Sequence, residues 1–123
     1  MFFNRRKKIK EKIVWQLLDV KEWNKRTFRD ANFGGQLEKL EEEMTEFQKA
    51  QNKEEATKEL ADIFIVLGGL IRLNSRIGVF FENFYFDNLK TKSLEALSEA
   101  IDAKMEINRK RKWHKTGNGK FHH

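Results

Sequence analysis

Two acidic pairs in this chain have the residue types and spacing to do chemistry: Glu43 and Glu46 within LEEEMTEF, and Glu59 and Asp62 within KELADIFIVL. In sequence the pairs are mirror images about the point between Asn52 and Lys53. A helix-helix turn at that point makes the four carboxylates face one another across an antiparallel hairpin. Four carboxylates on one patch repel unless a divalent cation lies among them. An all-oxygen cluster of this kind suits Mg2+ or Mn2+ rather than zinc.

The hairpin itself follows from local chemistry. Asn52 before Lys53-Glu54-Glu55 reads as an N-cap with a capping-box acid three residues on, and the two glutamates favour the positive end of a new helix. Upstream, Phe33-Gly34-Gly35 interrupts the chain, after which Leu37, Leu40, Met44 and Phe47 recur at helical spacing. The pattern predicts helices over about 5–30, 35–50, 53–75 and 92–113, the last capped by Ser93, with a further helical segment at 77–89. Ile63 to Ile71 is apolar on every side, so the third helix is expected at the centre of an all-α bundle of four to five helices.

Composition sets the frame for this site. A chain of 123 residues with 39% hydrophobic content is read as one domain over 1–113, followed by a flexible tail at 114–123 that holds all three histidines. No cysteine means no disulfide, no thiolate metal site and no cysteine nucleophile. The N-terminal residues lack the apolar run of a signal peptide, and no stretch approaches the roughly 18 apolar residues of a membrane span. A cytoplasmic protein without membrane association is expected. Residues 1–12 carry six basic and one acidic side chain and residues 104–120 carry seven and one, so the net +6 hides a middle section of −5. Basic ends of this kind suit nucleic acid or a polyanionic small substrate equally.

The last helix favours the small substrate. Leu94, Leu97, Ile101 and Met105 set its apolar face, and Lys104, Asn108 and Arg111 form a stripe along the edge of that face. Long basic side chains commonly run out to water from such positions, but an asparagine does so poorly. A stripe of Lys, Asn and Arg beside a carboxylate-held cation is what a polyphosphate requires. The competing reading is that acidic pairs are solvated helix faces, since the chain is 36% charged and Glu38/Glu41 and Glu99/Asp102 repeat the same spacing. The hairpin symmetry and the apolar continuation after Asp62 set the four acids apart from those pairs.

The pattern Glu42-Glu43-Met44-Thr45-Glu46, twelve further residues, then Glu59-Leu60-Ala61-Asp62, resembles the MazG-like branch of the all-α nucleoside triphosphate pyrophosphohydrolases. Lys104, Asn108 and Arg111 in KMEINRKRKW are similar to that family's K-x-x-x-N-x-x-R stretch. The resemblance covers about residues 15–113. It implies Mg2+, with Mn2+ as a possible substitute, held by Glu43, Glu46, Glu59 and Asp62, with Glu42 an adjacent catalytic carboxylate. It also implies that Lys104, Asn108 and Arg111 bind the phosphates of a nucleoside triphosphate, which is hydrolysed to the monophosphate and pyrophosphate. A homodimer or dimer of dimers is implied as well. Phe80, Phe81, Phe84 and Tyr85 are then read as a subunit contact. That leaves the base pocket to Trp15, Trp23, Phe28 or Phe33, of which Trp23 is chosen. Two alternatives stand beside this reading: a catalytically degenerate regulatory module, and a nucleic-acid-binding helical protein, which only the charge segregation supports.

Overall fold

The structure, a computed structural model, describes residues 2–73, 76, 89–115 and 121–122. Four helices account for most of them: α1 (Phe2–Thr27), α2 (Phe33–Gln48), α3 (Lys53–Leu73) and α4 (Thr91–Lys110). The expected all-α bundle is thus observed. The chain ends in two short strands, β1 (His114–Lys115) and β2 (Phe121–His122), paired antiparallel with His114 opposite His122 and Lys115 opposite Phe121. No helix among the described residues is long and apolar enough to cross a membrane. The aromatic run Phe80, Phe81, Phe84 and Tyr85 lies outside the described residues.

Caps set the helix boundaries. The Asn32 side chain accepts a hydrogen bond from the Gly35 N–H at 2.7 Å, starting α2. Asn52 Oδ1 accepts from the Glu55 N–H at 2.8 Å, and the Glu55 carboxylate reaches back to the Gln51 N–H at 3.0 Å. Each such cap stabilises its helix by about 1 kcal/mol. Together they fix a short turn, so α2 and α3 run antiparallel as expected. Ser93 does not cap α4. The helix begins at Thr91, and its N-cap Lys90 offers no side-chain bond.

α3 packs against α1, α2 and α4, and Ile63 to Leu70 is buried without interruption. Phe64, Leu70, Ile13, Val20, Leu94, Leu97 and Ile101 are almost inaccessible and form the centre of the core. Burying a side chain of this kind stabilises by roughly 1.5–3 kcal/mol. A polar clamp sets the register of α1 on α4: the Gln16 amide donates to the Ser98 carbonyl at 2.8 Å and to Asp102 Oδ1 at 2.7 Å, while Ser98 Oγ donates back to Gln16 Oε1 at 2.8 Å. Asp102 therefore serves helix packing. The α2 stripe is less covered than its spacing predicts, because Leu37, Met44 and Phe47 remain 38–44% exposed.

Gly68 lets the backbones of α1 and α3 approach. A Cβ on Gly68 would stand 2.5 Å from Val20 Cγ1, whereas one on Gly34 would meet only the Asn32 side chain at 3.6 Å. Gly68→Ala is expected to destabilise the fold by about 1–3 kcal/mol through overpacking. Gly34→Ala should be neutral or slightly stabilising, since alanine is the better helix former. Denaturant unfolding of both variants checks the difference.

Candidate metal and phosphate site

The α2/α3 hairpin brings carboxylate oxygens of Glu43, Glu59 and Asp62 within 4.8 Å of one another. All three side chains are half-buried. Burial, and secondly the charge of Asp62, push the Glu43 carboxyl above its ordinary range against the opposing pull of Lys39. The same two causes in the same order raise Glu59, and Glu46 adds further repulsion there. Glu46 therefore neighbours the trio electrostatically, but it is exposed and contributes no oxygen to it. Glu42 lies further out, exposed, with Lys39 Nζ at 3.8 Å. Three of the four expected ligands thus converge, while Glu46 stands at the rim and Glu42 outside.

Two lysines approach the trio from different helices. Lys104 Nζ of α4 lies 3.2 Å from Asp62 Oδ2, and Lys39 Nζ of α2 lies 3.4 Å from Glu43 Oε1. Three carboxylates against two ammonium groups leave a negative excess in a place where water is partly excluded. Oxygen donors, mutual repulsion and uncompensated charge together fit a hard divalent cation such as Mg2+ or Mn2+. Lys39 was legible in principle, because it precedes Glu43 by four residues on one helix face.

The raised carboxyls carry a sign that can be tested. A folded-state value above the unfolded one means that the folded protein holds the proton more tightly. Metal-free stability should therefore fall as pH rises from the ordinary carboxylate range through the raised value. Glu43→Gln removes this penalty. Its thermal midpoint in chelator is expected to match or exceed that of the unsubstituted protein at about pH 7.5, with the difference shrinking toward about pH 4.5, close to the ordinary glutamate value.

Lys104, Asn108 and Arg111 line one cavity, of about 220 Å³, together with Glu43 and Asp62. The predicted basic stripe thus faces the acidic trio, but α4 does not carry all of it. The helix stops at Lys110, and Arg111 is extended at φ −75° and ψ 149°. The buried Asn108 organises this exit: its carbonyl accepts from the Arg111 N–H at 3.3 Å and from Trp113 Nε1 at 3.1 Å, and its Oδ1 accepts from the Arg111 guanidinium at 3.3 Å. Arg111 is thereby turned along the cavity wall.

The far end of the cavity is aromatic. Phe28 makes edge contacts with Trp23 and Trp113 at centroid distances of 5.2 and 5.0 Å, and Phe121 lies tilted against it at 4.6 Å. Of the four aromatics considered for a base pocket, Trp23 and Phe28 line this cavity. Trp15 is 68% exposed and Phe33 38% exposed, and neither lines it. Sequence reasoning missed Trp113, which was read only as the end of the last helix, and Phe121, which lies in the segment read as a flexible tail. Trp113, just past α4, and Phe121, in β2, both pack against the core. Asn24 and Gln36, buried polar residues at the same cavity, were also missed.

A family comparison bears on this geometry. Residues 17–75 match the sequence model of the phosphoribosyl-ATP pyrophosphohydrolase family. The matched stretch is just under half of the chain and holds Glu43, Glu46, Glu59, Asp62 and Trp23, but it ends before Lys104. That family falls within the MazG-like all-α pyrophosphohydrolases, so the match agrees with the resemblance at a broader level. Hydrolysis at a pyrophosphate bond of a nucleotide is the class of chemistry it supports. No curated protein and no solved structure matches the chain.

Proposed function

We propose that this protein hydrolyses a nucleoside triphosphate to the monophosphate and pyrophosphate with Mg2+ bound at Glu43, Glu59 and Asp62. The observation that carries this reading is the cavity in which Glu43 and Asp62, with Glu59 clustered beside them, share a wall with Lys104, Asn108 and Arg111. A bound Mg2+ would supply polarisation of phosphate oxygens and relief of their charge. The chain's own groups account for the rest. Lys104 and Arg111 take up charge developing on the leaving pyrophosphate, and Asn108 holds Arg111 in place for that task. Water attacks a phosphorus atom, the bond to the leaving group breaks, and one of the site's carboxylates accepts the water's proton. Glu46, at the rim, adds to the negative field that would attract the cation. Glu42 holds Lys39 beside Glu43.

The half-exposed α2 stripe of Leu37, Met44 and Phe47 supports the homodimer or dimer of dimers expected from the resemblance. A cytoplasmic setting, where nucleotides and Mg2+ are plentiful, belongs to the same proposal. The test is a screen of nucleoside triphosphates with Mg2+, with phosphoribosyl-ATP included because the matched family is named for it. Pyrophosphate release from at least one substrate, lost in chelator, is expected. Phosphate release alone, or no turnover together with salt-sensitive nucleic-acid binding, would overturn the proposal.

A further inference from the structure

The aromatic end of the cavity contains a polar group that the proposed phosphate chemistry does not use. Asn24 is 2% exposed, and its Oδ1 has no hydrogen-bond partner among the described residues. Leaving a buried amide oxygen unsatisfied costs about 1–3 kcal/mol. Trp113 Nε1 donates to the Asn108 carbonyl. The Phe28 N–H bonds the Asn24 backbone carbonyl at 2.8 Å, which leaves the side chain out of the helix end.

The packing around Asn24 keeps its carboxamide facing the cavity. A Cβ on Gly69 would stand 2.6 Å from Asn24 Nδ2 and 2.8 Å from Gln36 Oε1, so two carboxamides converge over a bare glycine. Gln36 is itself 5% exposed and lines the same cavity. Beside them stand the edges and faces of Trp23, Phe28, Trp113 and Phe121. The β1/β2 pairing brings Phe121 back from the chain end to close this wall.

We infer that Asn24 determines specificity by reading the hydrogen-bonding edge of a nucleobase held in this aromatic end. The inference deepens the proposed function and rests on its nucleotide reading. A flat heteroaromatic ring meets both requirements of the site, since its faces suit aromatic walls and an in-plane N–H satisfies Oδ1. A carboxamide offers a donor as well as an acceptor, the pair that complements a base edge. A sugar lacks the flat apolar face, and an alkyl chain lacks the donor. The phosphate chain of the same ligand then extends toward Lys104 and Asp62, which line the same cavity.

The test titrates the full chain with adenosine, guanosine, cytidine and uridine, read by tryptophan fluorescence, and separately with inorganic pyrophosphate plus Mg2+ by calorimetry. At least one nucleoside should bind saturably. Asn24→Leu should weaken that nucleoside about tenfold or more, the effect of one lost buried hydrogen bond. Its pyrophosphate affinity should stay unchanged, and its thermal midpoint should not fall, because an unsatisfied polar atom has been removed. Asn24→Ala should give the same split between ligands if leucine does not fit. Retained nucleoside affinity in the variants, or equal losses for both ligands with a lowered midpoint, would overturn the inference and make Asn24 a packing residue. Pyrophosphate binding without binding of any nucleoside would overturn it while leaving the proposed function standing. Binding of neither would overturn both.

Discussion

Asp62→Asn is expected to abolish Mg2+-dependent turnover while the protein keeps its helical circular dichroism. Asp62 is the common member of the site: it repels both Glu43 and Glu59 and pairs with Lys104 at 3.2 Å. Replacing it with the neutral isostere removes a ligand charge without changing volume. Loss of an outer-shell partner at a metal site already costs roughly 10–100-fold, so loss of this carboxylate should exceed about 100-fold in kcat/KM. The fold should tolerate the change, because asparagine matches aspartate in shape and losing this charge relieves the repulsion on Glu43 and Glu59. Glu99→Gln is the control, an exposed acid of the same spacing class outside the cavity. Equal damage from both, with both proteins folded, would show that generic acidity rather than this cluster matters. Glu46→Gln should fall between them, since Glu46 acts on the trio from its rim.

Lys104→Ala and Arg111→Ala should each lower kcat/KM for the triphosphate by about 10–100-fold, the worth of a charge-assisted hydrogen bond in a partly excluded site. Lys110→Ala should change it less than about twofold, because Lys110 is exposed and pairs with its own-helix neighbour Glu106 at 3.7 Å, a surface contact of small energy. The same charge is removed in all three variants. A diffuse electrostatic role would make them alike, and a shaped phosphate wall would not. Arg111 adds a geometric point: it stands beyond the end of α4, so its placement depends on Asn108 rather than on helical register. Steady-state kinetics at one ionic strength decide between the two cases.

The parts of this site written in local sequence were legible. Asn52 and Glu55 fix the turn, and the turn fixes the axial level of the acids on either side. What spacing does not fix is the rotation of α2 about its own axis relative to α3, which places Glu43 inside and Glu46 at the rim. The stripe Lys104, Asn108 and Arg111 was readable as a set because its members share an edge of an amphipathic pattern. The end of α4 was not, since hydrogen bonds to Asn108 from residues past the helix decide it. Trp113 and Phe121 escaped for a related reason. Their contacts with Phe28 and Trp23 join segments more than eighty residues apart, and no local pattern encodes that return. Asn24 and Gln36 carry no local signal of a site in the sequence, and the bare backbone at Gly69 leaves room for both beside one cavity.

The central claim is that α2 and α3 together hold a divalent cation, and electron paramagnetic resonance of added Mn2+ tests it most directly. Titrating the full chain, with and without pyrophosphate, should deplete the free Mn2+ signal saturably, with one ion bound per chain and displacement by excess Mg2+. Asp62→Asn should restore the free signal, and Glu99→Gln should not. Mn2+ binding that survives Asp62→Asn unchanged, or no saturable binding even with pyrophosphate present, would contradict the account.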